Sequence, residues 1–180
     1  YNVPRLAFVN KMDRIGADFD KVLAELRTKL AAPAIAIQLP VGASDTFQGV
    51  VDLIKMRAIV FSEDGYGSKV EYEDIPAEMA ARAEASRAEL IEKVAEVDEE
   101  LLEAYMENTD VAEQALISAI RRATIANHIV PVLCGSSLKN KGVQPLLDAV
   151  IAYLPSPIDI QAVKGISPKN DAELYREASD

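Results

Sequence analysis

A short apolar run that ends in Asn10-Lys11-Met12-Asp13 and gives way at once to a helical pattern constrains this chain more than any other feature. Residues 3–9 read as a buried, near-continuous apolar strand, with Pro4 close to its first position, where a missing N–H is tolerated. Asp18 then precedes Phe19, Val22, Leu23, Leu26 and Leu30, spaced for one face of a helix over 18–30. A strand-to-helix loop of this kind lies at the ligand-binding edge of an open α/β sheet, beyond the carboxyl ends of the strands. The loop's chemistry suits one base. A carboxylate at Asp13 accepts from both the ring N1–H and the exocyclic amino group of guanine, whereas adenine presents an acceptor nitrogen there. A site built to hydrogen-bond its ligand rejects an analogue that leaves its charged acceptor unpaired. Asn10 is placed to tie neighbouring loops together and reach the base, and the Lys11 stem to lie along the purine face. Taken alone, the motif also fits a solvated Lys/Asp turn beside a helix.

A second unit completes the pattern. Ile129-Val130-Pro131-Val132-Leu133-Cys134 is another apolar strand, and it runs into Gly135-Ser136-Ser137-Leu138-Lys139. Backbone N–H groups in a tight Gly/Ser loop are suited to donate to guanine O6, where adenine carries a donor amine. Gly142 then opens a helix over 142–154 with Val143, Leu146, Leu147, Val150 and Leu154, and Pro145 is tolerated in its first turn. A Gly-Ser-Ser loop by itself is ordinary turn chemistry. As the next strand end of the same sheet, it makes the other wall of a base-reading pocket.

With both loops in hand, the chain resembles bacterial translation elongation factor G, the ribosomal translocation GTPase. The likeness rests on Phe8-Val9-Asn10-Lys11-Met12-Asp13-Arg14, Phe47-Gln48-Gly49-Val50-Val51-Asp52-Leu53, Tyr72-Glu73-Asp74-Ile75-Pro76 and the stretch from Cys134 to Pro157, and it extends over essentially all 180 residues. Met12, Arg14 and Lys139-Asn140-Lys141-Gly142 look more like elongation factor G than like class 3 release factors or tetracycline-protection proteins, the nearest rivals. Ser137 departs from the alanine usual in the family's guanine loop. The resemblance implies an α/β fold, a partial P-loop-GTPase-type parallel sheet with an α+β insertion subdomain. It implies guanine contacts from Asn10, Lys11, Asp13, Ser136, Ser137 and Leu138. GTP or GDP is the implied ligand of the intact factor, and the ribosome its partner.

The remaining composition narrows the setting. No apolar run approaches the ~20 residues that span a bilayer, and no signal peptide is visible, so no membrane partner is expected. One cysteine allows no internal disulfide, and one cysteine with one histidine is too few for a structural zinc site. A reducing, cytoplasmic location is expected. The phosphate loop Gly-x-x-x-x-Gly-Lys-[Ser/Thr] does not occur in this sequence. Phosphoryl transfer depends on such phosphate- and Mg²⁺-holding parts. The expectation is a piece that lacks the phosphate loop and switch regions, carries no catalytic or metal residues, and hydrolyses no GTP.

Residues 1–31 and 128–156 are read as the guanine-reading part of the GTP-binding domain, 157–180 as a linker towards a second domain, and 32–127 as an insertion. Within the insertion, strands are expected at 34–39, 49–54, 57–61 and 69–73, with a turn at Asp64-Gly65-Tyr66-Gly67. Leu90, Val94, Val97, Leu101 and Tyr105 predict one long helix, and a further helix is expected from about Asp110, capped with Glu113. From residue 63 to 113 there are seventeen Asp/Glu against four Lys/Arg. The surplus falls on Glu84, Glu89, Glu92, Glu96, Glu99, Glu100 and Glu103. It fits either a solvated helix face or a docking surface for a basic protein, and the resemblance implies the ribosomal stalk protein. RNA phosphates are disfavoured, because such contacts come from Lys and Arg. His128 reads as a strand-end residue and Cys134 as a small buried hydrophobe. Lys139 and Lys141 either support the loop or are solvated. Past Ser167 the chain is expected to be poorly ordered.

Overall fold

A computed structural model of the chain describes residues 3–62, 69–107, 111–159, 163–166 and 173–176. Its centre is a parallel three-stranded sheet of β1 (Ala7–Val9), β7 (Val130–Cys134) and β2 (Ala34–Ala36), with β7 in the middle. The register pairs Val9 with Cys134 and Ala36 with Val132. β7 is buried at every position, which is why it reads as an unbroken apolar run rather than an alternating one. β1 is shorter than its apolar sequence suggests, since pairing begins at Ala7. Helix α1 (Phe19–Lys29) follows β1; the Asp18 carboxylate accepts from the Lys21 amide at 2.9 Å and caps it. Helix α5 (Val143–Tyr153) follows β7. The α/β class expected from the sequence is the class observed.

The run 34–39 is two strands rather than one. β2 joins the parallel sheet, and after Ile37 the chain enters β3 (Gln38–Val41), the first strand of an antiparallel sheet continued by β4 (Gly49–Asp52), β5 (Arg57–Phe61) and β6 (Val70–Glu73). Ile37 belongs to both sheets: its amide donates to the Val132 carbonyl, and its carbonyl accepts from Leu53, each at 3.1 Å. Residue 34 thus lies in the sheet that carries the two loops. The apolar core is likewise continuous, from Val9, Phe19 and Leu133 through Val51 and Phe61 to Leu90, Leu116 and Ile120.

The long helix expected from Leu90 to Tyr105 is also two. α2 (Ala77–Ala95) ends before Asp98, and α3 (Glu99–Glu107) begins after it. The buried Asp98 carboxylate accepts from the Leu101 amide at 3.0 Å and from the Arg122 guanidinium at 2.7 and 2.8 Å. Capping the new helix satisfies an amide that the helix itself cannot. Val97, placed by periodicity on the buried stripe, is 40% exposed at this break. Helix α4 (Glu113–Ile125) starts after Ala112 without a side-chain cap; Asp110 and the Asp64–Gly67 turn lie outside the described residues. Arg121 on α4 donates to the carbonyls of Ala152 and Leu154 at the end of α5 and to the Asp159 carboxylate. Beyond Ser167, where little order is expected from the sequence, β9 (Glu173–Arg176) pairs antiparallel with β8 (Val163–Ile166). No described helix is long and apolar enough to cross a membrane.

Candidate functional site

Adjacent parallel strands bring the Asn10–Asp13 and Gly135–Lys139 loops together, although 127 positions separate Asn10 from Ser137. Two backbone bonds fasten them: Gly135 N–H donates to the Val9 carbonyl, and Met12 N–H to the Gly135 carbonyl, both at 3.0 Å. The close approach requires glycine at 135. A Cβ there would collide with the Lys141 carbonyl oxygen and stand 2.7 Å from the Phe8 ring. Met12 is 1% exposed and anchors the otherwise polar loop in the core, while its carbonyl accepts from Ser44 N–H at 2.8 Å. Lys11, between these anchors, has φ of 64° and is exposed.

Asn10 stitches the loops side chain to backbone. Its Oδ1 accepts from the Lys11 amide at 2.7 Å and from the Ser137 amide at 3.0 Å. Its Nδ2 donates to Ser137 Oγ at 2.9 Å, and that hydroxyl also lies 3.1 Å from Oδ1. The tie expected of the asparagine is therefore present. Ser137, the position that departs from alanine, makes it a side-chain tie as well.

The second loop uses more of its own amides than its sequence suggests. Ser136 N–H donates to the Lys141 carbonyl at 2.8 Å, and Ser137 N–H is taken by Asn10. Among residues 136–138, this leaves the Leu138 amide, in the first turn of the 3-10 segment Ser137–Lys139, where no helical acceptor exists. Leu138 is 80% exposed. The loop closes through Asn140 in the left-handed region and Gly142 at φ 87°, where a Cβ would meet the Cys134 carbonyl at 2.7 Å.

Asp13 sits between the loops with its side chain 8% exposed. The buried Ser136 hydroxyl faces its carboxylate, short of full hydrogen-bond geometry, and is the largest influence holding the carboxyl below its ordinary pKa. Burial opposes this; the Asp13 backbone amide, the Lys139 ammonium 3.8 Å away and Arg14 reinforce it. Asp13 is thus an ionised acceptor at neutral pH, held in place and shielded from bulk water.

Lys141 and Lys139, similar in sequence, divide the two roles open to them. Lys141 is 6% exposed, and its ammonium donates to the Phe47 carbonyl at 3.1 Å, tying the loop to the β3–β4 connection. Lys139 is half-exposed and reaches Asp13. Met12 and Ser44 support the site without having been legible as such; an apolar residue inside a polar loop was the only hint, at Met12. His128 is exposed at the strand end. Cys134 is fully buried, and burial pushes its thiol pKa well up, so it stays a protonated hydrophobe.

Helix-flanked parallel strands with both polar loops at their carboxyl ends define an α/β protein of the P-loop-GTPase type, with an α+β insertion. The chain belongs to the family of elongation factor Tu GTP binding domains, whose sequence profile matches residues 1–156. It is also similar to a protein from Thermus thermophilus of known crystal structure, with a TM-score of 0.76 and 27% sequence identity over 97% of this chain. The match spans 27% of the length of that protein.

Proposed function

We propose that this chain is the guanine-recognition part of a translational GTPase of the elongation factor G kind, which drives movement of tRNA and mRNA on the ribosome. The observation that carries the reading is the juxtaposition of a shielded, ionised Asp13 with a second loop stitched to it through Asn10. In this reading Asp13 accepts from guanine N1–H and the exocyclic amine, displacing Lys139 as its partner. The Leu138 amide donates to O6, Lys11 covers the base, and Asn10 with Ser136 and Ser137 fixes the distance between the two walls. Mg²⁺ and the phosphates belong to segments outside this sequence, so the chain alone turns over no GTP. Residues 1–31 and 128–156 supply the nucleotide contacts, the acidic helices within the 32–127 insertion serve a protein partner, and 157–180 lead towards a further domain. The factor works in the cytoplasm.

Exposed glutamates on α2 and α3 favour a second role beside the first. Glu84, Glu92, Glu99 and Glu103 are all exposed, and none forms an ion pair among the described residues, whereas Glu89, Glu96 and Glu100 do. A basic surface on the ribosomal stalk protein is the proposed partner. The base assignment is tested by Asp13→Asn in a chain that carries the phosphate loop. GTP affinity is expected to fall about 100-fold, with preference moving towards xanthine nucleotide. Unchanged GTP affinity refutes the role of Asp13.

A further inference from the structure

Away from the loops, a cavity of about 170 Å³ lies between the antiparallel sheet and α5, and its polar groups are not explained by guanine recognition. Its floor comes from the sheet face on which Gln38 and Asp52 stand directly opposite each other across β3 and β4. Gln38 is 4% exposed, and its carboxamide Oε1 is buried without a hydrogen-bond partner among the described residues. Asp52 holds the β4–β5 turn, accepting from Ile54 N–H at 2.8 Å and Lys55 N–H at 3.1 Å, and burial raises its pKa. Both bonds fall on its Oδ1. Asp148 from α5 stands on the exposed rim, and the rings of Tyr72 and Tyr153 contribute aromatic walls.

A buried acceptor with no donor costs free energy that an apolar side chain of the same shape would not. The pocket's charge narrows what could satisfy it. Asp52 and Asp148 line it, with Glu113 near enough to act on Tyr153. Against these stand Lys55, directed at Glu113 at 3.9 Å, and Arg57, opposite Asp52 in register and stacked 4.3 Å over the Tyr72 ring. The surplus is acidic. An anion meets carboxylates, and a purely apolar ligand leaves Gln38 Oε1 unpaired. A planar head with several N–H donors and a positive charge satisfies the amide and the carboxylates together, and its alkyl stem fits the Ile37, Ile59 and Ala149 lining.

We infer that the cavity between the antiparallel sheet and α5 is a binding site for a small organic cation with a guanidinium-type head, seated on Gln38 and Asp52 and steered by Asp148. The alternative occupant is ordered water alone, which polar cavities of this size commonly hold.

The test is a titration of the chain with agmatine, followed by NMR shifts of the Gln38 side-chain amide and the backbone amides of Asp52 and Ala149. Saturable shifts at all three are expected. Gln38→Met, close in shape but without the acceptor, is expected to weaken agmatine binding about tenfold while melting at the parent temperature or above. Asp148→Asn, on the exposed rim, is expected to weaken it about threefold without perturbing the core. Butylurea, a neutral planar donor, is expected to bind several-fold more weakly than agmatine. No saturable shift by about 10 mM agmatine overturns the inference and leaves water as the occupant. Shifts that persist unchanged in both variants, or equal binding of butylurea, overturn it too.

Discussion

The loop edge of the parallel sheet and the acidic helices α2 and α3 are both polar, yet they hold their polar groups in opposite ways. At the edge, polar side chains bond to each other and to backbone: Asn10 to Ser137, Asp13 beside Ser136 and Lys139, Lys141 to Phe47. The backbone there is held in left-handed conformations at Lys11, Asn140 and Gly142. Along the helices, charges project into solvent, and the ion pairs that form, such as Lys93 with Glu96 at 2.7 Å, are exposed and worth little. Strained polar groups packed against one another are costly to assemble and mark a site whose geometry matters. Solvated charges cost almost nothing and mark at most a surface.

The contrast is broken first at Gly135. Gly135→Ala is expected to cost about 3 kcal/mol or more, because the Cβ meets the Phe8 ring and the Lys141 carbonyl, which the Ser136 amide holds in place. Urea unfolding measures it; a loss below about 1 kcal/mol would show that the loops yield easily and are not a rigid frame.

The helical region behaves like the loop edge at Asp98. Asp98→Ala removes the cap of α3 and the partner of Arg122, at a cost of about 2 kcal/mol after allowing for the exposed guanidinium. The Arg122 hydrogen bond, outweighing burial and aided by the Leu101 amide, lowers the Asp98 pKa in the folded chain. The folded state therefore binds the proton less readily than the unfolded chain. The contribution is fully present above the unfolded value of about 4 and fades as pH falls through the lower folded value. Parent and Asp98→Ala stabilities should converge in acid; a gap that stays constant to about pH 2 would mean the carboxylate's charge is irrelevant.

What could be read from the sequence follows the same division. β7 and the loops after β1 and β7 were legible because a buried parallel strand demands an unbroken apolar run, and a tight loop between strand and helix demands glycine and small polar residues. The breaks at Ile37 and Asp98 were not. Ile37 is as apolar as its neighbours, so nothing local shows that it changes sheets; Asp98 interrupts the helix through Arg122, 24 positions away. Burial of Lys141 escaped for the same reason, since its acceptor is the Phe47 carbonyl in the β3–β4 connection, 94 positions away. The identities of the loop side chains were legible, but the use of the Ser136 and Ser137 amides inside the site was not.

Ser137 offers a smaller test of the loop edge. Ser137→Ala keeps the backbone bond from its amide to Asn10 but removes the hydroxyl, and is expected to cost about 1 kcal/mol. Hydrogen exchange at the residue-137 amide should quicken about fivefold, since that amide is protected by the asparagine the hydroxyl helps to hold. Unchanged exchange would assign the tie to the amide alone.

The smallest effect on stability is expected on the helices. Reversing Glu84, Glu92, Glu99 and Glu103 to lysine touches no described ion pair, and each change should move stability by no more than about 0.5 kcal/mol. Reversal also reduces the like-charge crowding of the 63–113 stretch, which offsets part of any loss. If the acids serve a basic protein surface, the quadruple variant loses that binding while the parent's binding weakens steeply with salt. The two readouts separate the readings: a variant of parental stability that still binds the stalk protein reduces the acidic face to a solvated one. One that folds as well and binds no longer makes cheap surface charge, rather than costly internal pairing, the carrier of the second function.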